Sequence, residues 1–378
     1  MLAAAAVTVL VVGVVYALVH TGSTKASTSS STASSAHGPT TVAALKVLSV
    51  FPATGDRHVD GSSPVMVEFS APLAPGSPDP VIHPAVAGTW RDIGDDAAFT
   101  PARPLRPSSR FTVQVPAGHG GVRTTGGGLL TRPVVAHFST GAYSQLRLAQ
   151  LLSQLGYLPL TWSAVQSPAL RSAGLVGSTS ASQAALAYSP PAGRFTWKAG
   201  YPVMLASMWS PSHANVLLRG AVMAFESQHH MTLNADLSTR FWNALFRAAA
   251  TGQRNANGYT YAVASKSTPE TLTIWHDGRR VFRSLANTGI PISPTVDGTF
   301  PVYLRYRFQI MRGVNPDGSS YADPVSFVSY FNGGDAVHYF PRGSYGFQQS
   351  LGCVELPYTA AQHAYPYLTY GSLVTVTS

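Results

Sequence analysis

The one cysteine of this chain, Cys353, lies in a segment whose residue types could carry out acyl transfer. That chemistry needs a reactive thiol, a nearby base, and backbone N–H groups directed at the oxyanion that develops on the attacked carbonyl. His338 ends a strand-like run and could act as the base. Gly352 permits a sharp turn, so the N–H groups of Gly352 and Cys353 could point into the same pocket as the thiol. The segment therefore predicts a cysteine nucleophile assisted by a histidine.

A single cysteine limits the other roles that this thiol could have. It excludes an intrachain disulfide and a metal site built from several cysteines. An isolated cysteine is most often a small buried apolar residue, and the Ser350-Leu351-Gly352-Cys353 context is what favours a reactive one. Thiol-based acyl transfer needs no metal or organic cofactor, so none is expected.

The composition indicates folded, β-rich domains. The 378 residues exceed what one hydrophobic core usually organises, and 45% of them are hydrophobic against 11% charged. The formal net charge of +9 comes mainly from arginines that are spread along the chain, without a recognisable DNA- or RNA-binding motif. Nucleic acid is therefore not an expected partner, whereas an anionic cell envelope would attract the same charge.

The N-terminal residues predict a membrane anchor followed by a tether. Residues 1–20 contain no charged side chain and are long enough, as a helix, to cross a bilayer core. We expect a transmembrane helix or an uncleaved signal anchor there. Residues 21–42 are rich in Ser, Thr and Ala, which is typical of a flexible linker. This arrangement predicts a single-pass protein of the cell membrane whose catalytic part lies outside, on the cell-wall side.

Residues 43–141 alternate between short strand-like runs and turn residues, which predicts a β-sandwich. Runs such as PVMVEFS and PVVAHFS carry the pattern, and Asp60-Gly61 supplies one of the turns. From the Pro-x-x-Gly after Phe51 to the closing HFST, the segment resembles a bacterial Ig-like domain. The resemblance implies a spacing or adhesion module without catalytic residues.

Residues 142–252 change to helical periodicity. The run SQLRLAQLLSQLGYLP and two later helical runs, separated by a turn near Asn234, resemble the two halves of a peptidoglycan-binding helical domain. An insertion at roughly 161–215 divides the halves. We therefore expect a small α-helical domain of the peptidoglycan-binding kind, and an all-α spacer is the alternative.

Residues 258–378 return to strand patterns, with Asp277-Gly278 as a hairpin turn. Three features follow in order: the TVDGTF segment at 295–300, a histidine after a strand followed by Ser-Leu-Gly-Cys, and a closing helix and strand from LPYTAAQH to SLVTV. Together they resemble the YkuD-like L,D-transpeptidase catalytic domain. The expected fold class is multidomain: an N-terminal transmembrane helix, an all-β Ig-like sandwich, a small α-helical peptidoglycan-binding-like domain, and a C-terminal mostly-β L,D-transpeptidase catalytic domain.

The resemblance implies a reaction in which peptidoglycan stem peptides are both donor and acceptor. Cys353 would lose its proton to His338, attack the carbonyl of the third residue in a tetrapeptide stem, and expel the terminal D-alanine. Backbone N–H groups, that of Gly352 among them, would stabilise the oxyanion. An amine on a neighbouring stem would then take the acyl group and complete a 3-3 cross-link, whereas water would make the enzyme a carboxypeptidase. The resemblance also implies inhibition by carbapenem-type β-lactams.

Two positions depart from the family pattern. Leu351 stands where the family usually has a second histidine, and Glu355 stands where Asn or Arg is common. We expect activity to survive, because the resemblance assigns the base to His338, with Ser350 as a supporting motif residue. The residues expected to contact substrate are Tyr321, Tyr339, Leu351 and Glu355. Glu355 could instead face solvent, and Tyr321 could simply pack a flap over the site.

Two other functions compete with the transferase. The last domain could be a non-catalytic peptidoglycan-binding scaffold in which Leu351 marks lost chemistry, although retention of Cys353 and His338 argues against that loss. A thiol hydrolase of another class would lack the wall-binding companion modules. The favoured function is a peptidoglycan L,D-transpeptidase that serves cell-wall biogenesis.

Overall fold

The computed structural model describes residues 43–165 and 179–378. The predicted transmembrane helix at 1–20 and the linker at 21–42 lie outside the described residues, as do residues 166–178 of the predicted insertion. Among the helices of the described ranges, none combines the length and the apolar character that crossing a membrane requires.

The first domain is the predicted β-sandwich. Its strands are β1 (Val47–Phe51), β2 (Val65–Phe69), β3 (Val81–His83), β4 (Gly88–Ile93), β5 (Asp96–Pro101), β6 (Arg110–Val115) and β7 (Val134–Ser139). They form a four-stranded sheet in the order β1-β2-β5-β4 and a three-stranded sheet in the order β3-β6-β7. Val65, Val67 and Phe69 are buried in the core, because alternate residues of a strand point to the same face.

The middle segment contains the predicted helices but is not all-helical. Its elements are α1 (Gln145–Gln154), β8 (Leu160–Ala164), α2 (Ser180–Tyr188), β9 (Gly193–Trp197), α3 (Val203–Ser207), α4 (Val216–Gln228) and α5 (Thr239–Thr251). β8 and β9 pair as an antiparallel hairpin at the predicted insertion, so the segment is not an all-α spacer, and the small α-helical domain stays a prediction. Leu160 and Trp162 are buried and alternate with exposed residues, a period of two that favours a strand. Peptidoglycan binding by this segment stays a prediction.

The middle segment shares its hydrophobic core with the C-terminal domain. Tyr261 and Leu373 of that domain belong to the same buried cluster as Leu217 of α4. Gly220 of α4 lies so close to the following domain that a Cβ there would be 2.6 Å from the carbonyl oxygen of Gly371. The helical segment is therefore a packed support for the C-terminal domain.

The C-terminal domain consists of two sheets and a short helix. Its elements are β10 (Thr260–Ser265), β11 (Thr271–His276), β12 (Arg279–Leu285), β13 (Gly298–Pro301), β14 (Leu304–Val314), β15 (Ser320–Asn332), β16 (Asp335–Tyr339), β17 (Val354–Leu356), α6 (Tyr358–Ala364) and β18 (Leu373–Thr377). One sheet has the order β12-β11-β10-β18-β13 and the other the order β14-β15-β16-β17. Apolar side chains of both sheets and of α6 meet in a common core. Asp277 and Gly278, with φ of 46° and 79°, make the predicted hairpin turn.

Leu272 in β11 is fully buried in this core, whereas Ile292 is 73% exposed in a loop. We expect Leu272→Ala to lower the free energy of unfolding by about 3 kcal/mol, because the variant loses apolar burial and leaves a cavity. Ile292→Ala is the control and should change that free energy by less than about 0.5 kcal/mol. Denaturant unfolding measures both variants. Equal losses of unfolding free energy would contradict the placement of Leu272 in the core.

Candidate active site

His338 and Cys353 are brought together by two parallel strands. His338 lies on β16, and Cys353 immediately precedes β17. The strands pair with His338 opposite Glu355 and Val337 opposite Val354. Because side chains alternate along a strand, His338, Cys353 and Glu355 project from the same face of the sheet. All three line one cavity of about 440 Å³.

A long hairpin of β14 and β15 forms one wall of this cavity. Gln309 and Met311 of β14 line it, together with Tyr321 and Asp323 of β15. Tyr321 thus lies where a substrate contact needs it, and the contact itself stays a prediction. Further along β15, the buried Tyr330 donates its hydroxyl proton to Oε1 of Gln309 at 3.1 Å, which ties the two strands together beside the cavity.

The His338 ring is held as a neutral base. The residue is 3% exposed, and its Nδ1 lies 2.9 Å from the backbone carbonyl oxygen of Tyr339. Since a carbonyl oxygen only accepts, Nδ1 carries the proton and Nε2 is left to take one. Burial lowers the pKa of His338, against the smaller raising effects of this hydrogen bond and of the Glu355 carboxylate. The imidazole is therefore neutral at neutral pH and able to accept a proton.

The Cys353 thiol is protonated at rest. Burial raises its pKa to about 12, and the carboxylates of Asp335 and Glu355 raise it further, whereas a hydrogen bond from the Ala336 backbone N–H lowers it. The sulfur lies 3.8 Å from the carbonyl oxygen of Gly334. A thiolate therefore needs a base that removes the proton as the sulfur attacks.

The turn before Cys353 is held by hydrogen bonds of Ser350. Its hydroxyl donates to the carbonyl oxygen of Cys353 at 2.6 Å and accepts from the Gly352 N–H at 3.2 Å. Gly352 has a φ of 114°, and a Cβ there would overlap Oδ1 of Asp335, so this position requires glycine. Because Ser350 engages the Gly352 N–H in this conformation, that N–H must be released or shared to reach an oxyanion. Its role as an oxyanion donor stays a prediction.

Glu355 does not face solvent, so that part of the sequence interpretation is wrong. Its side chain is 6% exposed and forms two hydrogen bonds of 2.8 Å with the guanidinium of Arg342. Arg342 also donates to the carbonyl oxygen of Gln349 at 3.1 Å. The ion pair therefore fastens the loop between His338 and Cys353 to β17, and both carboxylate oxygens of Glu355 are already occupied.

Tyr339 is not among the residues that line the cavity, and its contact with substrate stays a prediction. Tyr339 follows His338 in β16, so its side chain points to the opposite face of the sheet. There its ring packs edge-on against Tyr358, with 5.1 Å between the ring centroids. Leu351, by contrast, lines the cavity, where its apolar side chain supplies no second base.

Four charged residues of the cavity wall were not identified from the sequence: Arg312, Asp323, Asp335 and Arg342. None of the four gives a signal in the sequence, because their positions around the thiol depend on how the strands pair and how the loop after His338 folds. Among the described residues, no group of His, Cys, Asp and Glu is arranged to hold a metal ion.

His338 and Cys353 thus lie in one cavity of a mostly-β domain, bounded by a hairpin, and they are the residue types that thiol-dependent acyl transfer requires. Residues 259–376 match the family model of the YkuD L,D-transpeptidase catalytic domain, and residues 41–140 match that of the bacterial Ig-like domain. Residues 259–376 are thus a YkuD-type L,D-transpeptidase catalytic domain, and residues 41–140 are a bacterial Ig-like domain.

Solved structures of L,D-transpeptidases are also similar to this chain. The L,D-transpeptidase from Mycobacterium smegmatis is 16% identical, with 89% of this chain and 100% of that chain covered and a TM-score of 0.30. L,D-transpeptidase 3 from Mycobacterium tuberculosis with a faropenem-derived adduct is 17% identical, with coverages of 88% and 98% and a TM-score of 0.29. The catalytic domain from the E. faecium L,D-transpeptidase is 23% identical, with coverages of 31% and 96% and a TM-score of 0.29. No curated protein matches the chain.

The Arg342–Glu355 pair gives a stability prediction. Arg342→Met should lower the free energy of unfolding by about 3 kcal/mol, because it leaves the Glu355 carboxylate buried without its partner. The double variant Arg342→Met/Glu355→Leu should recover most of that loss, since two apolar side chains need no counter-charge. Denaturant unfolding of the two variants beside the wild type measures both effects. A double variant less stable than Arg342→Met would contradict the pairing.

The raised pKa of Cys353 predicts how the free thiol reacts with pH. A pKa of about 12 keeps the thiol protonated across neutral pH, so the thiolate fraction should grow with each increase in pH into the strongly alkaline range. The rate of alkylation by iodoacetamide, followed by intact mass, should therefore keep rising through about pH 10. The Cys353→Ala variant, which has no thiol, measures the background alkylation. A plateau with its midpoint near neutral pH would show a resting thiolate–imidazolium pair and contradict the neutral state.

Proposed function

We propose that this chain is a peptidoglycan L,D-transpeptidase that forms 3-3 cross-links through an acyl-enzyme on Cys353. The observation that carries the proposal is the cavity shared by Cys353 and His338 within a domain of the YkuD family. Peptidoglycan stem peptides would be both donor and acceptor, and cell-wall biogenesis would be the process that the enzyme serves.

The arrangement of the site supports a two-step reaction. The Cys353 side chain first turns from Gly334 toward His338, whose Nε2 takes the thiol proton while sulfur attacks the carbonyl of the third residue in a tetrapeptide stem. The amine of D-alanine leaves with that proton, and a thioester remains. An amine of a neighbouring stem then attacks the thioester and releases the enzyme. Attack by water would give carboxypeptidase activity instead.

The companion segments support an envelope location. We propose that residues 1–20 anchor the protein in the cell membrane as a single span, that residues 21–42 form a tether, and that the catalytic part works on the cell-wall side. The uncharged first segment and the net charge of +9, which an anionic envelope attracts, favour this location. The Ig-like domain would act as a spacer, and the helical segment would bind peptidoglycan.

Acylation by a carbapenem tests the proposed function. The full chain incubated with a carbapenem should gain the mass of one inhibitor molecule, because the strained lactam carbonyl is open to attack by the activated thiol. Cys353→Ala should gain none. His338→Ala should react about 100-fold more slowly, since it lacks the base. Intact-mass spectrometry over time measures all three proteins.

An unmodified wild type, under conditions that label an L,D-transpeptidase of known activity, would contradict the proposal. That outcome would favour the non-catalytic peptidoglycan-binding scaffold. The observation behind that second candidate is Leu351, which places an apolar side chain in the cavity where the family usually has a histidine.

A further inference from the structure

Three carboxylates line the cavity of the nucleophile, and they differ in their partners. Glu355 is paired with Arg342. Asp323 and Asp335 take part in no ion pair within the described part of the chain. Arg312 of the β14–β15 hairpin also lines the cavity. Asp323 and Asp335 thus place a carboxylate without an ion-pair partner on each of two walls, because Asp323 belongs to this hairpin and Asp335 to the strand of His338.

Asp335 is fixed directly beside the nucleophile. Its Oδ1 occupies the space that a Cβ on Gly352 would need, and Gly352 is the neighbour of Cys353 in the chain. The Val296 backbone N–H donates to the Asp335 carboxylate. The Asn332 side-chain amide lies at 3.5 Å from Oδ2. These contacts hold the carboxylate against the turn that presents the thiol.

This position is unfavourable for the first half of the reaction. A carboxylate beside the sulfur disfavours the thiolate, and Asp335 is one of the groups that raise the pKa of Cys353. Transfer of the acyl group to an amine, the second half of the reaction, instead benefits from a nearby negative charge. The nitrogen of an attacking amine gains positive charge as it bonds to the thioester carbon, and a nearby carboxylate stabilises that charge. A residue that hinders acylation can therefore favour transfer to an amine.

We propose that Asp335 is the acceptor subsite, where its carboxylate binds the primary amine of the acyl acceptor beside the Cys353 thioester. This inference rests on the proposed function. The nitrogen lone pair forms the N–C bond, and the C–S bond breaks with its electron pair returning to sulfur. Asp335 takes the proton that the nitrogen loses and passes this same proton to the departing sulfur, which restores both the carboxylate and the thiol. A neutral amine adds without first losing a proton, so its nitrogen becomes fully positive, whereas water is deprotonated as it attacks and gains less from this carboxylate.

The test compares aminolysis with hydrolysis in Asp335→Asn. The full chain is given an N-acetylated tetrapeptide that ends in D-alanine, with ethylenediamine as the acceptor, and mass spectrometry measures the ratio of aminolysed to hydrolysed product. We expect the ratio to fall by about 100-fold, the scale of one lost proton acceptor. Carbapenem acylation of the same variant should be as fast as in the wild type or faster, because a charge that opposes the thiolate is gone. A merely structural role would slow both reactions.

Two other aspartates provide matched controls. Asp297→Asn removes a carboxylate that is 52% exposed and paired with Lys266, and it should leave the ratio unchanged. Asp323→Asn removes the other unpaired carboxylate of the cavity, and its effect on the ratio should be much smaller than that of Asp335→Asn. An equal fall in Asp323→Asn would overturn the proposal, because the net charge of the cavity would then set the ratio.

The remaining outcomes separate this inference from the proposed function. An unchanged ratio in an Asp335→Asn protein that still forms the carbapenem adduct overturns the inference alone. A wild type that forms no acyl-enzyme with either compound overturns both. Asp335→Ser also removes the carboxylate and should lower the ratio of aminolysed to hydrolysed product by the same factor. Agreement between the two variants excludes a folding defect specific to asparagine. Thermal unfolding of each variant confirms that the fold is intact.

Discussion

Parallel pairing of β16 with β17 is the constraint on which the site depends. It sets His338 and Cys353 on one face of one sheet, although a long loop separates them in the sequence. A parallel connection must carry the chain from the end of one strand back to the start of the next. Without contacts that hold it in place, this return loop would be free to move and to shift Cys353.

The loop is fastened by buried polar contacts on both sides. Arg342 and Glu355 join it to β17, and the Gly346 N–H donates to Oδ1 of Asn287 at 2.9 Å. The buried Glu270 accepts from the N–H and the hydroxyl of Thr288 at 2.6 and 2.9 Å, which fixes the segment under the loop. These charges cost desolvation energy that apolar side chains would not, and they define the position of the turn that ends at Cys353. The proposed reaction depends on this geometry, because the thiol is a poor acid and the imidazole is neutral.

Local pattern was enough to predict the sandwich, the long helices, the Asp277-Gly278 hairpin and the strand that carries His338. Each of these depends on residues that are neighbours in sequence, whose periodicity reports burial directly. The β8–β9 hairpin was missed because it lies in an insertion between helical runs, where Leu160 and Trp162 alternate for only a few residues. The orientation of Tyr339 was missed although the pattern contained it, because a residue that follows His338 in a strand points to the opposite face. The position of Asp335 beside the thiol could not be predicted, because it depends on strand register and on a contact with Gly352.

The central claim is that Cys353 accepts an acyl group from a stem peptide with the help of His338. Acid quenching during turnover of a tetrapeptide donor, followed by proteolysis and peptide mass mapping, tests it most directly, because a thioester survives acid. The account predicts that the peptide containing Cys353 carries the mass of the donor less its terminal D-alanine, and that His338→Ala abolishes this adduct. A donor consumed at the wild-type rate by Cys353→Ala, with no adduct on Cys353 in the wild type, would contradict the account.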